Sequence, residues 1–518
     1  MTDARAFHEA TNHAPEDVHA ADTRDPGTMP RPTKRYRDRR FVDLDRIEPP
    51  WDPTLSILAE RDDPLDGAAQ TERTTLDVES IGTLCYEAMG ITNEVERDGR
   101  QYRFRAASCT GKLYHVECYV VCDDRPGLPA GVYHFDPAQF GFDVIRQGDV
   151  RGVLARAVGD TTERTEAGTA VSEAPVTIVT TSNWWRNAWK YAYRTYRHAF
   201  WDSGTVLANL LATVHGLSLP ASVVTAFADH PVAELLGVDP TDEAPLSLVP
   251  IGDGEPAPRS RSVERIDPDV VPPSSDPGSV AAIYEAWAES TLSDGAAARA
   301  WRDLAAENRG LGRSSPGDGE RVALEPVDHE TASARPLHPV VVRRGSCRSY
   351  AERGPTRRQL GTVLDRATRG VPGDWNGGTG DGFDYLTAYV LATGVDGVPD
   401  GTYHYHPDED ALERLGDVDP ETKIRLALDQ RWAGDAHVNV YLLANVEAIV
   451  ETLGNRGYRL AQLEAGLTLG RLYLATYAHR ELGGVGLTFF DGLVSDHLSP
   501  RAAGQSPMTL FAFGRRAE

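Results

Sequence analysis

The segment 184–204 combines a rare amine with a row of guanidiniums and aromatic rings. Lys190 is one of only four lysines in 518 residues, and Tyr191 follows it directly. If the segment is helical, Lys190, Arg194 and Arg197 lie at i, i+4 and i+7 on one face, beside an aromatic face that can pack. A lysine crowded by Arg194 and aromatic rings should have a lowered pKa, which favours a role as a general base. The alternative interpretation is a solvated cationic flank on a core helix.

A second candidate is the element Arg344-Gly-Ser-Cys-Arg348, in which the Ser346 hydroxyl stands between two guanidiniums. Arginine presents a planar fork that is always charged, and this geometry suits phosphate. These side chains are therefore an apt set for binding a phosphate. A cluster of surface arginines is the competing interpretation.

Histidine and cysteine give no metal pattern in the linear sequence. His134 and His404 belong to a repeated Tyr-His turn, which favours a structural role, and the histidines lack ligand-like spacing, so we predict no metal site. The five cysteines include no C-x-x-C pair. This scatter, with an odd count, indicates reduced thiols in a cytoplasm.

Length and composition predict a water-soluble protein of two or three domains, with 41 % hydrophobic residues. No run approaches the roughly 20 apolar residues of a membrane span, and the N-terminus lacks the apolar core of a signal peptide. The net charge is −24, with arginine supplying nearly all the cations. This balance is typical of proteins from salt-loving organisms, and it argues against nucleic-acid binding, which needs a basic surface.

Two parts of the chain repeat each other. Residues 129–137 correspond to residues 399–407, and residues 196–204 correspond to residues 458–466, in the same order and with similar spacing. A repeat at this long period predicts two copies of a whole domain rather than a solenoid.

Each copy mixes strands with long helices, which predicts an α+β domain with a central sheet. Residues 254–336 are rich in Pro, Ser, Asp and Gly and read as a linker, with one short helix around 280–292. We therefore divide the chain into a polar segment 1–60, a first domain 61–253, the linker 254–336 and a second domain 337–518. The predicted helices are 81–89 and 358–367, and the predicted strands are 117–121, 176–180, 246–251, 385–391, 438–443 and 508–513.

These elements together resemble the nitroreductase superfamily, and specifically its SagB-type, thiazole-forming dehydrogenase branch. The resemblance in the first copy lies in the sequence 105–117, Gly131-Val-Tyr-His134, Trp189-Lys-Tyr191 and Tyr196-Arg197; in the second it lies in Arg344–Arg348 and Gly514-Arg515. The resemblance implies two tandem nitroreductase-like, FMN-dependent α+β domains that form a pseudo-dimer within one chain, with flavin sites between the copies.

The resemblance also implies a set of flavin contacts. It assigns the flavin phosphate to the Arg344 element, and backbone contacts with the flavin ring to a glycine loop of the second copy. At the matching place in the first copy, Glu60-Arg-Asp-Asp-Pro-Leu65 is acidic and would repel a phosphate. We therefore expect one complete FMN site, formed by Arg344, Ser346, Arg348, Arg105, Ser108, Cys109, Gly111, Gly484, Val485, Gly486 and Arg515.

In the SagB-type branch a Lys-Tyr pair is catalytic, which implies that Lys190 and Tyr191 act here. The alternative is that Lys190 only contacts the flavin or an acidic partner such as Asp202. The expected function is an FMN-dependent oxidoreductase that oxidises an azoline-like ring in a small molecule or modified peptide. One alternative is a general reductase that uses NAD(P)H to reduce nitro or quinone compounds. The other is a flavin-binding scaffold without activity.

Overall fold

The computed structural model describes residues 3–16, 24–59, 75–97, 99–159, 170–259, 263–327, 335–378 and 382–517. In these residues the chain forms two antiparallel sheets and a separate two-stranded ribbon. None of the helices found there combines the length and apolar character needed to cross a membrane.

The first half contains one sheet with the strand order β1-β6-β5-β4-β7-β8, and β2 pairs only with β3. The strands are β1 (Phe41–Asp43), β2 (Ile91–Arg97), β3 (Arg100–Arg105), β4 (Val116–Cys122), β5 (Gly131–Asp136), β6 (Gly141–Gln147), β7 (Val176–Asn183) and β8 (Glu243–Ile251). The helices are α1 (Ala4–Ala10), α2 (Thr54–Ile57), α3 (Val78–Met89), α4 (Arg151–Ala157), α5 (Trp184–Tyr191), α6 (Thr195–Gly216) and α7 (Asp229–Leu236).

The second half repeats this arrangement, with the strand order β9-β12-β11-β10-β13-β15-β14. The strands are β9 (Arg321–Ala323), β10 (Leu386–Ala392), β11 (Gly401–His406), β12 (Ala411–Gly416), β13 (Val438–Ala444), β14 (Leu482–Leu487) and β15 (Ser506–Arg515). The helices are α8 (Ala281–Ala288), α9 (Gly295–Glu307), α10 (Leu337–Arg343), α11 (Arg357–Thr368), α12 (Pro420–Leu426), α13 (Arg431–Asp435), α14 (Val446–Ala478) and α15 (Asp491–Leu498). Helix α8 buries Ile283 and Trp287, and β9 joins the second sheet at its edge.

The expected continuous helix over 184–204 is wrong, because the chain breaks between α5 and α6. Ala192 takes φ 46° and ψ −133° at the break. The same break occurs in α14 at Gly454, with φ 65° and ψ −171°. Glycine adopts positive φ freely, whereas alanine does so only with strain. The break separates Lys190 from Arg194, so the predicted shared face of cations does not form.

The two halves meet where α6 crosses α14. A Cβ atom on Gly204 would lie 2.3 Å from the carbonyl carbon of Gly466, and a Cβ atom on Gly466 would lie 2.5 Å from the carbonyl oxygen of Trp201. Because these contacts are with backbone atoms, no larger residue fits at the crossing without moving a helix. The two glycines occupy corresponding places in the repeat.

Two buried ion clusters fasten the crossing, and each joins both halves. Arg194 and Arg197 contact Asp491 at 3.1 and 2.9 Å. Although burial opposes ionisation, the two guanidiniums lower the pKa of Asp491. The second cluster has the same form, because Arg456 and Arg459 both contact Asp229 at 2.7 Å.

The N-terminal segment is built into the first cluster. The Arg194 guanidinium donates to the Thr11 carbonyl at 2.5 Å, and the His13 backbone N–H donates to Asp491 at 2.8 Å. The segment therefore belongs to the folded unit.

The two helix breaks make a matched pair of tests. Ala192→Gly should raise the free energy of unfolding by about 1 kcal/mol, because the substitution relieves alanine of a positive φ. Gly454→Ala should lower it by a similar amount, since a Cβ atom there meets no atom within 4 Å and only the backbone conformation opposes it. Urea unfolding followed by circular dichroism measures both values. A destabilised Ala192→Gly variant would contradict the assigned strain.

Candidate functional site

A cleft of about 970 Å³ lies between the halves, beside the helix crossing. The first half supplies the loop 107–112, the ribbon β2–β3, the end of α5 and part of α6. The second half supplies the loop 342–348, the end of β14 with the residue that follows it, and one side of α14. The Arg344 loop (342–348) and the Ser108 loop (107–112) therefore face the same cleft, although they are far apart in the sequence.

The charged groups around the cleft are mostly cations. The lining includes one carboxylate, that of Asp202, and five cationic side chains, which are Lys112, Lys190, Arg343, Arg344 and Arg348. In a chain with a net charge of −24, this local excess favours an anionic ligand.

Arg344 joins the two walls of the cleft. Its Nε donates to the carbonyl of Ala106 at 2.9 Å, and its Nη2 donates to the carbonyls of Arg105 and Ala107 at 2.7 and 3.1 Å. The Arg344 guanidinium also lies over the Tyr473 ring, 5.5 Å from the ring centroid. Arg344 therefore uses its Nε and Nη2 groups to hold the opposite loop.

Donors for an anion remain in the rest of the loop. Ser346 and Arg348 are exposed on the cleft wall, and the Arg348 guanidinium lies 5.4 Å from the Trp432 ring centroid. Among the described residues, none accepts a hydrogen bond from the backbone N–H of Gly345 or Ser346. Two backbone donors, a hydroxyl and a guanidinium are the groups that proteins use to bind phosphate.

The facing loop is tied to α6 through Asp202. The carboxylate accepts hydrogen bonds from the Thr110 backbone N–H and hydroxyl at 2.9 and 2.8 Å, from the Cys109 thiol at 3.1 Å and from His115 at 2.8 Å. Burial and, after it, the Asp202 charge raise the pKa of the Cys109 thiol well above its ordinary value. Cys109 is therefore a protonated donor in this loop.

Lys190 and Tyr191 lie at the C-terminal end of α5, and both line the cleft. The Lys190 Nζ is 5.0 Å from the Tyr191 ring centroid. Burial, Asp202 and Cys109 raise the pKa of the Tyr191 phenol, so the phenol stays protonated and can donate. A Cβ atom on Gly111 would lie 2.6 Å from the Tyr191 hydroxyl, which explains the glycine in this loop.

Some of the expected site residues lie elsewhere. Arg105 is buried behind the cleft, donating to the Pro32 carbonyl at 2.7 Å. Arg515 pairs with Glu481, outside the lining. Gly486 lines the cleft, whereas Gly484 and Val485 do not.

The packing of β14 explains one of these glycines. A Cβ atom on Gly484 would lie 2.3 Å from the Phe511 ring, so sheet packing requires glycine there. The acidic sequence 60–65 lies outside the described residues.

On the other side of the crossing, the second half places the loop 374–378 ahead of its central strand β10. Asp374 accepts hydrogen bonds from Thr225 and Ala226 at 2.8 to 3.0 Å, so the loop 374–378 contacts the first half directly. The cleft of about 970 Å³ lies on the side of the loop 107–112.

Folding brings together two groups of metal-ligand atom types that the linear spacing hides. They are Cys109, His115 and Asp202, and His404, His406 and Glu413, with ligand atoms within 4.8 Å of one another in each group. Both groups are engaged internally: Asp202 holds the Ser108 loop, and Glu413 accepts from Arg501, His406 and two backbone N–H groups.

Sequence reasoning missed the side of the cleft formed by the ribbon. Thr92, Asn93, Val95, Phe104 and Lys112 line it. The available signal was the alternation of apolar and charged residues over 93–104.

Comparisons with known proteins agree with this architecture. Residues 91–253 match the family model described as the nitroreductase family. A protein of Methanocaldococcus jannaschii, provisionally named a nitroreductase, is 29 % identical over 177 residues, which are 34 % of this chain and 81 % of that protein. The crystal structure of a protein from Anabaena variabilis, also provisionally named a nitroreductase, has a TM-score of 0.74 at 21 % identity and covers 99 % of both chains.

Residues 91–253 are thus similar to the nitroreductase family, whose name favours an oxidoreductase. The Anabaena structure shows that the fold of both halves together is shared.

Asp202→Asn should make Cys109 reactive, because the substitution removes the charge that opposes the thiolate. Removing this charge lowers the pKa of the thiol and raises the thiolate fraction, so we expect iodoacetamide to alkylate Cys109 about tenfold faster near pH 8. Peptide mapping by mass spectrometry measures the rate, with Cys347 as the internal reference. Glu464→Gln, at the corresponding place in the repeat, is the matched control and should leave the rate unchanged. An unchanged rate in Asp202→Asn would separate the carboxylate from the protonation of Cys109.

Proposed function

We propose that this chain is an FMN-dependent oxidoreductase of the SagB-type dehydrogenase kind. In this proposal two tandem nitroreductase-like domains form a pseudo-dimer within the chain, and one FMN binds in the cleft between them. The observation that carries the proposal is the cleft itself, where a cationic loop of the second half faces a hydrogen-bonded loop of the first.

The residues of the cleft fit this cofactor. Its volume of about 970 Å³ is at the upper end of the usual range for cofactor pockets, roughly 300–1,000 Å³. Arg348, the Ser346 hydroxyl and the free backbone N–H groups would hold the phosphate. Gly486, Leu487 and Tyr473 provide a wall where a planar ring can lie close to the backbone. Ser108, Cys109 and Gly111 would hold the cofactor from the first half.

The hydrogen bonds from Thr225 and Ala226 to Asp374, on the other side of the crossing, support one flavin per chain, because the loop 374–378 there bonds directly to the first half. The acidic sequence 60–65 supports the same stoichiometry, because carboxylates repel a phosphate.

A bound flavin supplies two-electron redox chemistry, and the chain supplies binding, orientation and proton transfer. Oxidising an azoline ring to an azole removes a hydride and a proton, so a proton acceptor is needed beside the ring. Lys190 is proposed as that acceptor. Tyr191, whose pKa is raised, remains a donor that can orient the substrate.

A second candidate is a reductase that passes electrons from NAD(P)H to nitro or quinone compounds, and the nitroreductase name of the Methanocaldococcus jannaschii relative favours the nitro reaction. An anaerobic titration separates the two functions. A synthetic thiazoline peptide bleaches the flavin absorbance in the first case, and NADPH alone bleaches it rapidly in the second. Bleaching by neither compound would indicate a flavin-binding scaffold.

The five cysteines are all free thiols, which supports the proposed cytoplasmic location.

Arg348→Met should weaken FMN binding about tenfold, because a charge-assisted phosphate contact contributes about 1.5 kcal/mol. Released FMN, measured by absorbance against protein after dialysis, gives the occupancy, and the wild type should approach one FMN per chain. Arg515→Met is the matched control, since that guanidinium pairs with Glu481 outside the cleft. Two FMN per chain, or equal losses in both variants, would overturn the single-site assignment.

Lys190→Met should retain FMN and lose at least about a hundredfold in the rate of thiazoline oxidation, the usual size of a general-base contribution. Lys190→Arg keeps the charge but is a far weaker base, so it should be almost as slow. Stopped-flow absorbance of the flavin measures the rate. If Lys190→Arg restores the rate, the side chain acts through its charge and not as a base.

A further inference from the structure

At Glu94–Val95 and Tyr102–Phe104 the ribbon β2–β3 has one charged side and one apolar side. On the charged side, Arg103 contacts Glu94 at 2.8 Å. On the apolar side, Val95 pairs in register with Tyr102, and these two residues are 41 % and 38 % exposed. Because residues two apart share a face of a strand, Phe104 belongs to the same side, and it lines the cleft with Val95.

Lys112 lies across this apolar side. Its Nζ is 5.5 Å from the Tyr102 ring centroid and 5.4 Å from that of Phe104. In the part of the chain that the structure describes, no carboxylate contacts this ammonium. A cation that rests on two rings and faces a cleft keeps its charge available for a ligand.

The placement of lysine in this chain is selective. Lys34 is buried and contacts Glu243 at 2.8 Å, and Lys423 is buried and donates to the Thr393 hydroxyl at 2.8 Å. The other two lysines, Lys112 and Lys190, both line the cleft. Arginine serves nearly everywhere else, so lysine at position 112 is not an ordinary surface cation.

The backbone fixes the direction of this side chain. Gly111, Lys112 and Tyr114 all have positive φ, at 65°, 60° and 48°. Such conformations cost free energy for residues other than glycine and persist where the surroundings impose them. Here the hydrogen bonds from Thr110 to Asp202 hold the loop in place.

We propose that the apolar side of the ribbon, with Lys112, binds the substrate: a small organic carboxylate with a flat apolar body. The body lies on Val95, Tyr102 and Phe104, and the carboxylate pairs with Lys112. The opposite loop, with Arg348, is left for the phosphate of the cofactor. The subsite deepens the proposed function and rests on it for the reaction, though not for binding.

The second half has no such ribbon, since no strand occurs in the described residues between α11 and β10. The subsite therefore belongs to the open cleft alone. This asymmetry agrees with a single working site in the chain.

The test compares 4-nitrobenzoate with neutral 4-nitrobenzyl alcohol, which has a similar shape. Each probe is titrated into the FMN-loaded protein while the flavin spectrum is recorded. Lys112→Met should raise the Kd of 4-nitrobenzoate about fivefold, the scale of a partly exposed ion pair, and change the Kd of the alcohol less than about twofold. Lys112→Arg should bind the anion within about twofold of the wild type. Tyr102→Ser should weaken both probes.

Arg103→Met, on the charged side of the ribbon, is the matched control and should change neither Kd. Equal effects of Lys112→Met on both probes, or no effect on the anion, would overturn the subsite. Calorimetric titration of 4-nitrobenzoate into flavin-free protein gives a readout independent of the cofactor. A chain that binds no FMN but loses 4-nitrobenzoate affinity in Lys112→Met would refute the proposed function and leave the anion subsite standing.

Discussion

The crossing of α6 and α14 is the constraint on which the rest of the structure depends. Gly204 and Gly466 let the two backbones come into contact. Two arginines at the start of α6 form ion pairs with Asp491 of the second half, and two arginines of α14 form ion pairs with Asp229 of the first half. A buried aspartate with two guanidiniums is stable only while all three groups are present. The halves are therefore mutually dependent, and the position of one fixes that of the other.

Such a scaffold sets both sides of the crossing in related positions, yet it leaves the loops free to differ. Asp202 and Glu464 occupy corresponding places on the two helices, and both accept backbone N–H groups from the loop before a central strand. On one side that loop contains Gly111 and leaves an open cleft. On the other side Asp374, in the corresponding loop, accepts hydrogen bonds from Thr225 and Ala226 of the opposite half. The loops thus set what lines the cleft, while the similar cores of the two halves supply the scaffold.

Hydrophobic periodicity predicted much of the core but little of the irregular backbone. The predicted helices 81–89 and 358–367 lie within α3 and α11, and the six predicted strands fall on β4, β7, β8, β10, β13 and β15. The break at Ala192 could not be predicted, because alanine is a strong helix former and only the glycine at the repeated position, Gly454, hints at it. The ribbon was missed because its apolar residues face an open cleft rather than packing on a core.

The sequence likewise predicted the positions of some site residues and not of others. Arg344, Ser346 and Arg348 were predicted as site residues because their types match the family motif, and all three line the cleft. Arg105 and Arg515 match by type as well, yet one donates to the Pro32 carbonyl and the other pairs with Glu481. An arginine donates hydrogen bonds to the acceptors that the tertiary fold places beside it, and the sequence does not reveal those acceptors. In an acidic chain, most guanidiniums find a carboxylate or a carbonyl nearby. The cations that remain directed at a cleft are consequently the informative ones, because a concave, low-dielectric wall concentrates their field on whatever anion enters.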